Sequence, residues 1–150
     1  MSRREEAELI LSPWQVMQII EHARVARPYE ACGILGGRDA RVEQVYPLPN
    51  AEASGYPVTN RYLAEPQAQL DAMLTIEERG WHVVGIYHSH PDAPAYPSPI
   101  DVAMAAYPSA VYIIVSLADD EDPVLGGFRI RDGEVEEVAI VIEDRQRVES

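Results

Sequence analysis

At Ser12-Pro13, Glu65-Pro66 and Ser98-Pro99 a residue able to cap a helix stands directly before a proline and ahead of a segment of helical character. Proline lacks an N–H and has a fixed φ, so it suits the first turn of a helix and interrupts a strand. Each pair therefore marks a helix start, and the segments between them are left to form the rest of the fold. After Ser12, Gln15 completes a capping box; Trp14, Met17, Ile20 and Ala23 follow at helical spacing, and Pro28 ends the run. The second helix runs through Leu70, Met73, Leu74 and Ile76 to a stop at Gly80, and the third continues through Ala106.

The intervening segments read as strands. Ala31-Cys32-Gly33-Ile34-Leu35 is short, apolar and stopped by Gly36-Gly37, with Arg41 to Leu48 as its hairpin partner across Arg38-Asp39. Pro49 to Gly55 is a polar loop, and Pro57 to Leu63 is expected to form another short strand. Trp81 to His88 and Ala110 to Leu117 are β-rich and nearly continuous in apolar character, as buried strands are. Val124 to Ile130 and Glu134 to Ile142 form a closing hairpin across Asp132-Gly133. Helices interspersed with hairpin-linked strands predict an α/β arrangement, a mixed and mostly antiparallel curved sheet packed by about three helices.

The 150 residues fit one domain over 1–150, and 47% apolar content is enough for a packed core. The 25 acidic residues against 12 arginines and no lysine set a net charge of −13, which repels phosphates and excludes a nucleic-acid partner. No apolar run approaches the roughly 18 residues of a membrane span, and the start MSRREEAELI lacks the apolar core of a signal peptide. The lone Cys32 rules out an internal disulfide framework. A cytoplasmic protein is expected.

Chemistry concentrates in His88-Ser89-His90-Pro91 and the later Ser98-Pro99-Ile100-Asp101. Side chains two apart on a strand share a face, so His88 and His90 can aim imidazole nitrogens at one point. Asp101 falls on the first turn of the third helix, where the chain returns after a loop with three prolines between Pro91 and Pro97. Two imidazoles and a carboxylate suit Zn²⁺, and three protein ligands leave one coordination position open, as catalytic rather than structural zinc requires. Ser98-x-x-Asp101 equally matches a helix capping box; the two readings are compatible, because the serine oxygen has more than one lone pair. His22 and His82 are expected to be ordinary core or surface residues, Trp81 and Tyr87 core or strand-flank residues.

Upstream lies Tyr29-Glu30-Ala31-Cys32-Gly33-Ile34-Leu35-Gly36-Gly37. Glu30, then His88-x-His90, seven residues, Ser98, two residues and Asp101 resembles the JAMM (MPN-plus) metalloprotease motif at every position, and the Glu-Ala-Cys-Gly-Ile-Leu-Gly-Gly passage looks like its short prokaryotic members. The resemblance implies an MPN-like fold with one zinc ion per chain held by His88, His90 and Asp101. It implies that Glu30 takes a proton from the attacking water and delivers it to the leaving amine, and that Ser98 hydrogen-bonds the oxyanion. Cys32 could face the same side as Glu30, but a small buried apolar role is the expectation. Ser89 should point to the opposite face and serve packing.

The same resemblance implies a substrate: an amide bond at the C-terminus of a ubiquitin-like or sulfur-carrier protein with a Gly-Gly tail. Cleavage would release cysteine built on the carrier, as in cysteine biosynthesis, or cut an isopeptide bond to lysine. Asn60-Arg61-Tyr62 is a candidate groove lining. A non-enzymatic MPN module that binds a ubiquitin-like partner is the alternative from another class, and its mark would be a missing ligand or base. A zinc deaminase needs His-x-Glu and Pro-Cys-x-x-Cys, and neither is present.

Overall fold

A computed structural model describes residues 8–51 and 62–144. In chain order the elements are β1 (Glu8–Leu11), α1 (Pro13–Ala26), β2 (Cys32–Arg38), β3 (Arg41–Leu48), α2 (Pro66–Glu78), β4 (His82–His90), α3 (Pro99–Met104), β5 (Val111–Ser116), β6 (Val124–Arg131) and β7 (Glu134–Ile142). All three helices begin at the expected cap-proline pairs. Ser12 and Gln15 exchange the two hydrogen bonds of a capping box, and the Glu65 carboxylate accepts from the N–H groups of Gln67 and Ala68. α3 is shorter than expected, ending at Met104 instead of Ala106.

The strands form one mixed sheet in the order β1-β3-β2-β4-β5-β6-β7. The four pairs β2–β3, β2–β4, β5–β6 and β6–β7 are antiparallel, whereas β1–β3, β1–β7 and β4–β5 are parallel. The sheet is more than curved: β1 bridges β3 and β7 and closes it into a barrel. β1 is absent from the sequence reading because four residues, Glu8–Leu11, carry too little alternation to stand out. Both hairpins turn through consecutive residues of positive φ, Asp39-Ala40 and Asp132-Gly133, whose twist matches that of the flanking strands.

The core is split between two faces of the sheet. Leu9, Leu11, Leu35, Tyr87, Ile113 and Val115 pack against Val16, Ile19 and Ala23 of α1. On the other side, Ile86, Tyr112 and Ile114 pack beneath α3, and Ile34 and Leu48 pack beneath Ala72 and Ile76 of α2. β5 is buried on both faces, which explains its unbroken apolar run.

The buried helical faces correct two expectations. Trp14 and Met17 are 63% and 59% exposed, and Leu70 and Leu74 are 49% and 47% exposed. In each helix two apolar stripes have the right period, and the fold buries the one made of smaller side chains, which lets the helix lie close to the sheet. The strand expected at Pro57 to Leu63 falls largely outside the described residues; within them Ala64 makes only an isolated bridge to Asn50.

Candidate metal centre

β4 lies between β2 and β5 near the middle of the sheet, and its side chains alternate faces. Tyr87 points into the α1 side, so Ile86, His88 and His90 point to the side covered by α2 and α3. The antiparallel register pairs Cys32 with His88. Two residues back from Cys32 and two residues on from His88, that register brings Glu30 alongside His90. After the proline loop, Ser98 caps α3 by accepting from the Asp101 N–H at 3.1 Å, and Asp101 returns the bond by accepting from the Ser98 N–H at 2.9 Å. This capping box holds the Asp101 carboxylate over the end of β4.

The outcome is a tight convergence. Asp101 Oδ2 stands 3.1 Å from His88 Nε2 and 3.0 Å from His90 Nε2, and the two Nε2 atoms are 3.3 Å apart. With a carboxylate oxygen of Glu30 added, all four donor atoms lie within 4.8 Å of one another. His88, His90 and Glu30 are at most 4% exposed.

This geometry fits a divalent cation. Donors about 2.0–2.1 Å from a tetrahedral ion stand about 3.3 Å from each other, close to the spacing observed here. The His90 ring supplies an independent sign: its Nδ1–H donates to the Pro94 carbonyl at 2.8 Å, so in the neutral ring Nε2 carries a lone pair. That lone pair faces a carboxylate oxygen, and two acceptors 3.0 Å apart are favourable only with a cation or a proton between them. His88, whose Nδ1 is buried without a partner among the described residues, is oriented instead by Tyr62, which stacks on its ring at 4.9 Å.

The electrostatics follow from burial and proximity. Burial pushes the Glu30 carboxyl up to about 8, with the neighbouring His90 pulling it down and Asp101 pushing it up. Burial works against the charge of Asp101 too, but hydrogen bonds to His88 and His90 and from the Ser98 N–H outweigh it and hold that carboxyl far below the usual range. Burial lowers the basicity of His88 despite its contact with Asp101. In His90 burial acts the same way but is overcome by the hydrogen bonds to Asp101 and Pro94.

A cavity opens beside His88 and Asp101, lined by Cys32, Leu48, Tyr62, Met73, Ile86 and Tyr112 among others. Cys32 is fully buried, its thiol pushed up to about 12 by burial, in keeping with an inert small residue. Tyr62 of the expected groove lining borders the cavity; Asn60 and Arg61 lie outside the described residues. His82 is exposed, Trp81 is partly buried in the α2 cluster, and Tyr87 is fully buried with its hydroxyl 2.7 Å from His22 Nδ1. Ser89 does more than pack: its Oγ accepts from the Ala31 N–H at 2.8 Å. That bond, the Pro94 carbonyl on His90 and the Asn50 amide on the Glu30 carbonyl at 2.8 Å were not legible in the sequence. Only Asn50, polar between a strand end and a loop, carried even a weak local signal.

Residues 15–128 match the family described as prokaryotic homologs of the JAB domain. The chain is 38% identical over 131 residues to the CysO-cysteine peptidase of Mycobacterium tuberculosis, covering 86% of this chain and 87% of that one. It is 46% identical over 80 residues to a probable TtuB-protein conjugate cleaving protease of Thermus thermophilus, covering 53% and 51%. It is also 36% identical over 104 residues to the desampylase of Haloferax volcanii, covering 65% and 73%. Among solved structures, a protein from Desulfitobacterium hafniense superposes with a TM-score of 0.80 at 39% identity over 91% of this chain and 93% of that one. A JAB1/MPN domain protein from Archaeoglobus fulgidus shares the fold at a TM-score of 0.59 and 23% identity, over 90% and 99%. With its barrel, its helices and its histidine–carboxylate cluster in place, this chain belongs to the prokaryotic JAB-domain family.

Proposed function

We propose that this protein is a zinc-dependent peptidase that hydrolyses the amide bond at the C-terminus of a ubiquitin-like carrier protein with a Gly-Gly tail. The observation that carries the reading is the convergence of His88 Nε2, His90 Nε2 and Asp101 Oδ2 with Glu30 Oε1 beside them, buried and without a hydrogen-bond partner among the described residues. His88, His90 and Asp101 hold the metal. When bound, zinc supplies a Lewis acid for the scissile carbonyl and acidifies a water to a pKa of about 7.

Glu30 removes a proton from the attacking water at a carboxylate oxygen and passes it to the nitrogen of the leaving amine as the C–N bond breaks. Its burial suits this exchange, because a base that also acts as an acid works best with a proton affinity near the working pH. The Ser98 hydroxyl uses its oxygen to cap α3, which leaves its hydrogen to donate to the developing oxyanion. Such a donor is worth about 3 kcal/mol of barrier.

The relatives' names support conjugates of small carrier proteins as substrates: a CysO-cysteine bond, a TtuB–protein conjugate. The apolar cavity beside His88 has room for a side chain of the tail upstream of the two glycines. No helix among the described residues is long and apolar enough to cross a membrane, and the net charge of −13 disfavours nucleic acid.

The test is mass spectrometry after incubating zinc-loaded protein with ubiquitin-like carriers that bear either a C-terminal cysteine adduct or a lysine isopeptide. The parent releases the carrier with a free Gly-Gly end, and Glu30→Gln retains zinc with turnover cut to a small residual rate. A module that merely binds the carrier would retain its full function in Glu30→Gln and cut neither substrate, which would overturn the proposal.

A further inference from the structure

No hydrogen bond among the described residues holds the carboxylate of Glu30, whose Oε1 is buried without a partner. Glu30 also stands outside regular structure, two residues before β2 begins at Cys32. A proton carrier must be placed to within a fraction of an ångström, so its position has to come from its backbone.

The peptide unit that joins Glu30 to Ala31 is gripped at both poles. Its carbonyl accepts from Asn50 Nδ2 at 2.8 Å, and its N–H donates to Ser89 Oγ at 2.8 Å. The Ser89 N–H also donates to the Ala31 carbonyl at 3.0 Å. Cys32–His88 is the last regular pair of the β2–β4 ladder; one step further, a side-chain hydroxyl accepts the Ala31 N–H. A peptide unit is planar, so fixing both of its poles fixes the plane from which the Glu30 side chain departs. Packing alone does not explain the hydroxyl. An alanine at 89 would fill much of the space but would leave an amide unpartnered beside the fully buried Ala31.

We infer that Ser89 and Asn50 are positioning residues for Glu30, a role that rests on the function proposed above. Ser89 sits between His88 and His90, so one tripeptide aims two metal donors with its first and third side chains and locks the base with its second. Spacing between metal and base is thereby built into a single strand end. Asn50 grips from the opposite side. Its Oδ1 also accepts from the Leu63 N–H at 3.0 Å, which ties the base to the segment carrying Tyr62.

The experiment measures steady-state kinetics on the full, zinc-loaded chain, with a ubiquitin-like carrier extended by C-terminal cysteine as the probe. Ser89→Ala is expected to lower kcat by about 10- to 100-fold with KM within about twofold and zinc content unchanged. Ser89→Thr, which retains the hydroxyl, is expected to restore most of the rate. Asn50→Asp keeps an acceptor for the Leu63 N–H but offers the Glu30 carbonyl no donor, and should lose kcat in the same way. Because both act through Glu30, adding Ser89→Ala to Glu30→Gln should cost nothing more.

A Ser89→Ala enzyme with the parent's kcat would overturn the inference. So would loss of its zinc, or an equal fold-loss in the Glu30→Gln background, since either places the effect elsewhere. Should Ser89→Ala not fold, Asn50→Asp carries the same three comparisons. Silence of the parent on every carrier defeats the proposed function itself; an active parent indifferent to both substitutions defeats only the positioning role.

Discussion

Removing the charge of Glu30 should make the metal-free protein more stable, and increasingly so as pH rises. Glu30 is 2% exposed, and burial moves its carboxyl from an ordinary value of 4.5 to about 8. Between those values the folded state holds a proton that the unfolded state has released, so the unfolded state binds fewer protons and stability falls with rising pH. At about 1.36 kcal/mol per unit, the cost of ionising Glu30 grows by up to about 3 kcal/mol between pH 5.5 and 8; water entry and local relaxation bring the expected change to about 1–3 kcal/mol. Glutamine keeps the shape and never ionises. Other groups slope differently over this range: His88, held neutral by burial, contributes stability that increases toward pH 6.5. The informative quantity is therefore the difference between parent and Glu30→Gln, measured by urea denaturation of metal-free protein at several pH values. That difference should widen from about pH 5.5 and level off near pH 8, then shrink when zinc is added, because a cation beside Glu30 stabilises its ionised form. Parallel curves with no widening would refute the argument that Glu30 is buried without compensation.

Three further outcomes test the centre directly. Asp101→Ala should lose bound zinc, read by metal analysis after gel filtration; an undiminished stoichiometry removes Asp101 from the ligand set. Ser98→Ala should retain zinc and lose about 100-fold or more in kcat, and turnover equal to the parent's would reduce Ser98 to the cap of α3. Zinc affinity should rise with pH between about 5.5 and 8, because ligation requires neutral imidazoles and Glu30 sheds its proton beside the ion. Calorimetry in buffers of different ionisation enthalpy reads the released protons, and a proton count of zero contradicts the assignment.

The parts of this molecule that sequence made legible are those encoded by residues adjacent in the chain. The cap-proline pairs mark all three helices, because a capping box is a four-residue device. The shared face of His88 and His90 needs only the two-residue period of a strand. Which stripe of α1 is buried is a different kind of question. Trp14/Met17 and Val16/Ile19/Ala23 have equal claims by period, and the choice depends on packing against Tyr87 of β4 and Ile113 and Val115 of β5, which are far away in sequence. Glu30 shows the boundary most sharply. As a glutamate before an apolar strand it is unremarkable, and only the family motif singled it out. Its place beside His90 follows from the Cys32–His88 register, a pairing across 56 positions that also sets Ser89 against Ala31. One register thus delivers the base to the metal and supplies the hydroxyl that fixes it there. A one-residue slip of β2 against β4 would turn Glu30 to the other face and free its peptide at once. Placement of the base and the pairing of these two strands are the same structural fact.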